Sequence, residues 1–150
     1  MTFKTEQERF WAGAFGREYI GRNEGSGLLA SNLAFFAKAL VAAGKVGSCI
    51  EFGANIGMNL RALKLLFPDM RQSAIEINPE AAQILGQALG GDRVFQGSVL
   101  DYPVAERFDL VLIKGVLIHI NPDVLPAVYA KLHGCTGRHL LVAEYYNPTP

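Results

Sequence analysis

Cysteine is scarce in this chain of 150 residues: Cys49 and Cys135 are the only two. A pair so far apart builds neither a disulfide framework nor, unaided, a zinc site. An excess of charge of one sign is lacking as well. Fourteen Lys and Arg balance fourteen Asp and Glu, spread without blocks, to a formal net charge of zero. That excludes the electrostatic footprint of a general nucleic-acid binder, and equally an acidic tail or a long disordered segment. No apolar run reaches the length of a membrane span, and Met1-Thr2-Phe3-Lys4-Thr5-Glu6-Gln7-Glu8 has no apolar signal-peptide core. Repeats, low-complexity stretches and interdomain linkers are missing too. These absences point to one cytoplasmic globular domain over residues 1–150, with no nucleic-acid or membrane partner. Half of its residues are hydrophobic, enough to fill one core.

Glycine, by contrast, is plentiful, with sixteen in the chain, several of them at the ends of apolar runs. Thr5-Glu6-Gln7-Glu8 has the form of a capping box and predicts a helix carrying Phe10, Trp11, Phe15 and Tyr19 on one face. Residues 21–27 read as a loop. A second helix is predicted from about Leu28 to Ala43, with Gly44 as its stop. Apolar strands are then predicted over 46–52, 73–77, 93–96, 108–114 and 139–145. Helices fall between them, from the Gly57 loop to Phe67, over 79–89 and over 122–132. Continuous apolar strands alternating with helices imply a parallel sheet covered on both faces. The expected fold class is a Rossmann-like, doubly wound α/β domain, with residues 1–44 as a helical lid or cap and 45–150 as the core.

In such sheets, ligands bind beyond the carboxyl ends of the strands, where the strand order reverses. At the first of these ends stands Glu51-Phe52-Gly53-Ala54-Asn55-Ile56-Gly57-Met58-Asn59. Gly53 and Gly57 let the backbone turn tightly, the helix that follows offers free N–H groups, and Asn55 tolerates a left-handed conformation. A dinucleotide fingerprint needs glycine where Asn55 and Met58 stand, and a P-loop needs Lys-Ser or Lys-Thr after Gly57. What remains is an acid-x-Gly-x-x-x-Gly turn. Glu51 would repel a pyrophosphate but attract an ammonium, so a ligand with both a carboxylate and an ammonium suits the mixture. The methionine part of S-adenosylmethionine (SAM) is such a ligand. Glu76, followed by Ile77, closes the second strand, where an acid accepts hydrogen bonds from ribose hydroxyls. At the third end, Gly97-Ser98-Val99-Leu100-Asp101 offers an apolar residue and a polar edge to an adenine. The fourth is Lys114-Gly115-Val116-Leu117-Ile118-His119-Ile120, a strand end running into a loop.

Together, Glu51 to Gly57, Glu76, Gly97 to Asp101 and Leu117 to Ile120 resemble the class I SAM-dependent methyltransferases, in the expected order and over most of the chain. More narrowly, Phe10 to Asn23 and Lys114 to Pro122 resemble the pseudaminic acid biosynthesis-associated methylases of bacteria. Asn55 stands where the family usually has a glycine in mid-loop. The resemblance implies SAM as cofactor, held by Glu51, Gly53, Asn55, Gly57, Asn59, Glu76, Ile77, Ser98, Val99 and Lys114, with no metal. It implies methyl transfer to a small-molecule acceptor, such as a sugar or sugar nucleotide of bacterial surface-glycan biosynthesis. The alternative is a SAM-binding or interaction module of the same fold without catalysis.

Several of these residues have a plain structural role as the alternative. His119 is the candidate base, since an imidazole titrates near neutrality; between Ile118 and Ile120 it reads equally as a buried histidine bonded to backbone. Trp11, Phe15, Tyr19, Arg22 and Asn23 are candidates for a lid over the cofactor, or simply for a helix's docking face. Tyr145, after the last strand, points to the substrate side. Ser98 and Asp101 would serve as turn formers, Val99 and Cys49 as core, and Cys135 as a loop residue. The resembled enzymes continue past the fifth strand with a helix and an antiparallel hairpin, which this chain lacks. Its fifth strand is therefore expected to be an open edge that self-associates, or the chain to be a piece of a longer enzyme.

Overall fold

Strands that are apolar on both faces need cover on both, and the chain supplies it with helices wound to either side. The computed structural model describes residues 2–22 and 25–146. Its sheet consists of β1 (Ser48–Phe52), β2 (Arg71–Glu76), β3 (Val94–Gln96), β4 (Phe108–Lys114) and β5 (Thr136–Ala143), all parallel, in the order β3-β2-β1-β4-β5. The helices are α1 (Glu6–Ala12), α2 (Ala14–Ile20), α3 (Ser26–Ala39), α4 (Met58–Leu66), α5 (Pro79–Leu89) and α6 (Leu125–Cys135). On one face of the sheet, Phe36 of α3, Leu60 and Leu63 of α4 and Leu85 of α5 pack on Cys49, Leu110 and Leu112. On the other, Val128, Leu132 and Cys135 of α6 pack on Ile50, Phe52, Val111 and Ile113. The doubly wound α/β class expected from the sequence is the one observed.

The strand order reverses between β1 and β4. Phe52 pairs with Ile75 on one side and with Ile113 on the other, so the three central strands end level. Their carboxyl ends open one shared cleft, the position that binds ligands in this architecture.

The structure departs from expectation mainly at the N-terminus. The single aromatic helix is two, because Gly13 at φ −92°, ψ −152° is extended and separates α1 from α2. α3 begins at Ser26 rather than Leu28, since Gly25 adopts φ 113° as its N-cap, and it ends at Ala39 with Leu40 as its cap, short of Gly44. The helix expected from Pro122 opens as a 3-10 turn over Pro122–Val124 and then becomes α6. α6 runs straight into β5, so that strand starts at Thr136, and Cys135 is a buried helix residue rather than a loop residue. Among the described residues no antiparallel strand follows β5, and no helix is long and apolar enough to cross a membrane.

Candidate functional site

The loop after β1 is shaped by three left-handed residues: Gly53 at φ 75°, Asn55 at φ 49° and Gly57 at φ 81°, the last being the N-cap of α4. A side chain at Gly53 would also place its Cβ 2.8 Å from Val116 Cγ2, so only glycine fits. Glu76, at the end of β2, holds this loop in place. Its Oε2 accepts from the Asn55 N–H at 2.7 Å and its Oε1 from the Asn78 N–H at 2.7 Å. Burial pushes the Glu76 carboxyl above its ordinary pKa, while the N–H donors of Asn78, Asn55 and Ile77 pull it back.

Glu51 lies beneath, fully buried on β1. Its Oε1 accepts from Asn59 Nδ2 at 2.6 Å, and its Oε2 has no partner among the described residues. Desolvation drives its pKa up to about 8; the Asn59 hydrogen bond and the Lys114 charge oppose this, and the Glu76 charge adds to it. Asn55 Oδ1 and Asn59 Oδ1 are likewise buried without a partner. The two asparagine oxygens line the cleft and call for donors from outside the chain, because a buried unpaired oxygen is costly.

Above this floor is a cavity of about 290 Å³. Of the residues expected from the sequence, Gly53, Asn55, Asn59, Glu76, Ile77, Ser98, Val99, Lys114 and His119 line it, together with Trp11, Tyr19 and Tyr145. Others stand apart. Glu51 reaches the cavity only through Asn59. Gly57 turns toward Leu85 of α5, where an added Cβ would come within 2.7 Å of Leu85 Cδ2. Phe15 and Arg22 form an outer layer, the guanidinium 5.9 Å from the Phe15 ring centre, with Phe15 packed edge-on to Trp11. Asn23 lies outside the described residues. Asp101 is engaged with Lys4 Nζ at 2.5 Å.

His119 ends a 3-10 turn over Leu117–His119 in the cavity wall, half-buried, its ring centre 4.6 Å from that of Trp11. It is therefore not enclosed in the core between Ile118, which is exposed, and Ile120. Desolvation lowers its pKa, against the raising effect of the Glu144 charge. Glu144 also positions the turn, its Oε1 accepting from the N–H groups of Val116 and Leu117 at 3.0 Å each.

The wall includes residues that the sequence reading missed. Asn78 caps α5 and donates from Nδ2 to the Trp11 carbonyl at 3.1 Å, tying the N-terminal helices to the end of β2. An Asn before a helix-opening Pro was legible as a cap, but not as this tie. Thr5 and Glu8 were legible as a capping box and not as cavity wall. Asn32, buried on α3, also lines the cavity; a polar residue on an apolar helix stripe was its only signal. No group of three or more metal-ligating side chains occurs among the described residues.

The sequence matches no protein-family model, and no curated protein matches it either. Solved structures do share its fold. One is a SAM-bound amino pentose methyltransferase of calicheamicin biosynthesis from Micromonospora echinaspora, 18% identical, with a TM-score of 0.68 over 89% of this chain and 57% of that one. A sugar N-methyltransferase from a Streptoalloteichus species is 18% identical, with a TM-score of 0.69 over 91% of this chain and 56% of that one. A mitomycin 7-O-methyltransferase is 20% identical, with a TM-score of 0.70 over 97% of this chain and 45% of that one. The chain thus spans about half the length of each. The fold is that of the class I methyltransferases.

Proposed function

We propose that the chain binds SAM in the cleft at the strand-order reversal and transfers its methyl group to a small-molecule acceptor bearing an amine or a hydroxyl. The observation that carries this reading is the pair of buried acceptors without donors in the cavity wall, Asn55 Oδ1 and Asn59 Oδ1, the second backed by Glu51. A methionine ammonium is a donor-only group and suits them. Lys114 offers a cation to the neighbouring carboxylate, Glu76 keeps lone pairs for ribose hydroxyls, and Ile77 and Val99 are apolar walls for the base.

Bound there, SAM supplies a methyl already activated on a sulfonium. The chain's own work is alignment, exclusion of water and management of one proton. Trp11, Tyr19 and Tyr145 wall the acceptor end, and α1 with α2 is the lid, braced by Phe15 and Arg22. His119, kept neutral at pH 7 by its lowered pKa, takes the acceptor's proton at an imidazole nitrogen. The fold shared with an amino pentose methyltransferase and a sugar N-methyltransferase supports a sugar acceptor. The segments resembling the pseudaminic acid-associated methylases support a role in bacterial surface-glycan biosynthesis. Two free buried thiols, Cys49 and Cys135, suit a reducing cytoplasm.

Calorimetric titration with SAM and with NAD tests the cofactor, and tritiated methyl transfer into a bacterial metabolite extract tests the reaction. Micromolar SAM binding with label transferred is the expected result. Binding without transfer would favour the non-catalytic module, and NAD bound in place of SAM would overturn the reading. His119→Asn is expected to abolish most transfer while leaving SAM affinity nearly unchanged. A variant that unfolds earlier and binds SAM poorly assigns His119 a structural role.

A further inference from the structure

We infer that Glu8, on the first helix, reads the adenine of the cofactor by accepting a hydrogen bond from its exocyclic amine. This rests on the SAM reading above. The strand order places the base: Glu76 at the end of β2 takes the ribose, so the base lies next, over the end of β3, among Ser98, Val99 and Leu100. The obvious polar contact there is Ser98, but its hydroxyl is already engaged. It donates to Glu8 Oε1, and its oxygen accepts from the Leu100 N–H at 3.0 Å. A second lone pair on Ser98 Oγ and the unpartnered Oε1 of Gln7 are neutral acceptors in the same wall; the Glu8 carboxylate, which also lines the cavity, is the charged and so the stronger acceptor for an amine.

That carboxylate is held from several sides. Its Oε2 accepts from the N–H of Thr5 at 3.1 Å and from that of Lys4, while Thr5 Oγ1 accepts from the Glu8 N–H at 3.2 Å, closing the capping box of α1. Lys4 Nζ meets Asp101 at 2.5 Å and ties the same segment to the same strand end. An ionised carboxylate has about four lone-pair positions and no donor. Lys4, Thr5 and Ser98 occupy three, which leaves one on Oε1. An adenine presents an N–H₂ donor at its six-position. A hypoxanthine presents a carbonyl there, which an acceptor-only group repels.

The test compares S-adenosyl-L-homocysteine with S-inosyl-L-homocysteine, in which the six-amino donor becomes a carbonyl and the neighbouring N1 gains a hydrogen, by calorimetry on the wild type, Glu8→Gln and Glu8→Ala. The wild type is expected to prefer the adenine ligand about tenfold or more, as for a hydrogen bond to a charged acceptor. In Glu8→Gln the amide oxygen keeps the Thr5 cap, which glutamine also satisfies, and its NH₂ turns toward the base. The preference is then expected to vanish or reverse on a folded protein, and Glu8→Ala is expected to bring the ratio near one. A merely structural Glu8 shifts both affinities together; an unchanged ratio in Glu8→Gln, or a wild type that binds both ligands equally, overturns the Glu8 assignment and leaves the cofactor reading intact. A wild type that binds neither ligand overturns the cofactor reading, and the assignment of Glu8 with it.

Discussion

Glu51 shows how much a single buried acid governs. One of its oxygens rests on Asn59 and the other has no partner, and burial holds the carboxyl at about 8. An unfolded Glu titrates near ~4.3, so between these values the folded chain keeps a proton that the unfolded chain has released. The stability this group contributes is complete below the unfolded pKa and is lost as pH rises through about 8. Glu51→Gln mimics the protonated acid and does not titrate. Urea unfolding at pH 5.5 and at pH 8.5 is expected to show the wild type losing stability over that range and the variant losing less. Some slope persists in the variant, since the Glu76 carboxyl is shifted in the same direction. Equal slopes in the two proteins would mean that Glu51 is ionised throughout. The sequence showed Glu51 as the acid before the loop, yet not its depth. Alternation along a strand tells which face a residue takes, whereas only the packing of Asn59 and Lys114 above it turns that face into a floor.

Among the elements, α2 depends on one close approach. A Cβ on Gly16 would fall 1.9 Å from the Trp11 carbonyl oxygen and 2.7 Å from Asn78 Nδ2, the two partners of the bond that fastens the N-terminal helices to β2. Gly16→Ala is therefore expected to destabilise by about 1–3 kcal/mol through overpacking. It should also red-shift the fluorescence of Trp11, the sole tryptophan, as its contact with His119 opens. Gly27→Ala is the control, because a Cβ there meets nothing within 4 Å and alanine favours the helix. Equal behaviour of the two variants would refute the contact. This also explains what could be read in advance. The bounds of β4 and α5 match expectation because their apolar periods are decided locally, and the left-handed Asn55 follows from its side chain. Gly13 and Gly16 look alike in sequence, but one breaks a helix and the other admits a neighbour; only the contact with Asn78 separates them. The start of β5 was hidden for a related reason, since α6 passes into it with no turn residues between.

For the molecule as a whole, the sheet is closed unequally at its two margins. β3 is a short strand of three residues, whereas β5 runs for eight with its outer edge unpaired among the described residues. Leu140 and Val142 pair with the buried Val111 and Ile113 and lie on the face that α6 covers, yet remain 43% and 47% exposed because α6 does not extend over them. Arg138, exposed near the start of the strand, donates to the Lys45 carbonyl at 2.7 Å, so its charge sits at that end and not beside Leu140 and Val142. A long edge whose second half exposes Leu140 and Val142 invites another strand. The 150-residue chain is therefore expected to self-associate in sedimentation equilibrium, with the amides of residues 139–146 protected from exchange only at concentrations where it associates. Val142→Lys should return it to a monomer with an unchanged circular dichroism spectrum. Tyr145, two residues past β5, lines the cavity, so a second chain on this edge would also stand beside the acceptor end of the cleft. A monomer at high concentration whose 139–146 amides are nevertheless strongly protected would show that the edge is not open.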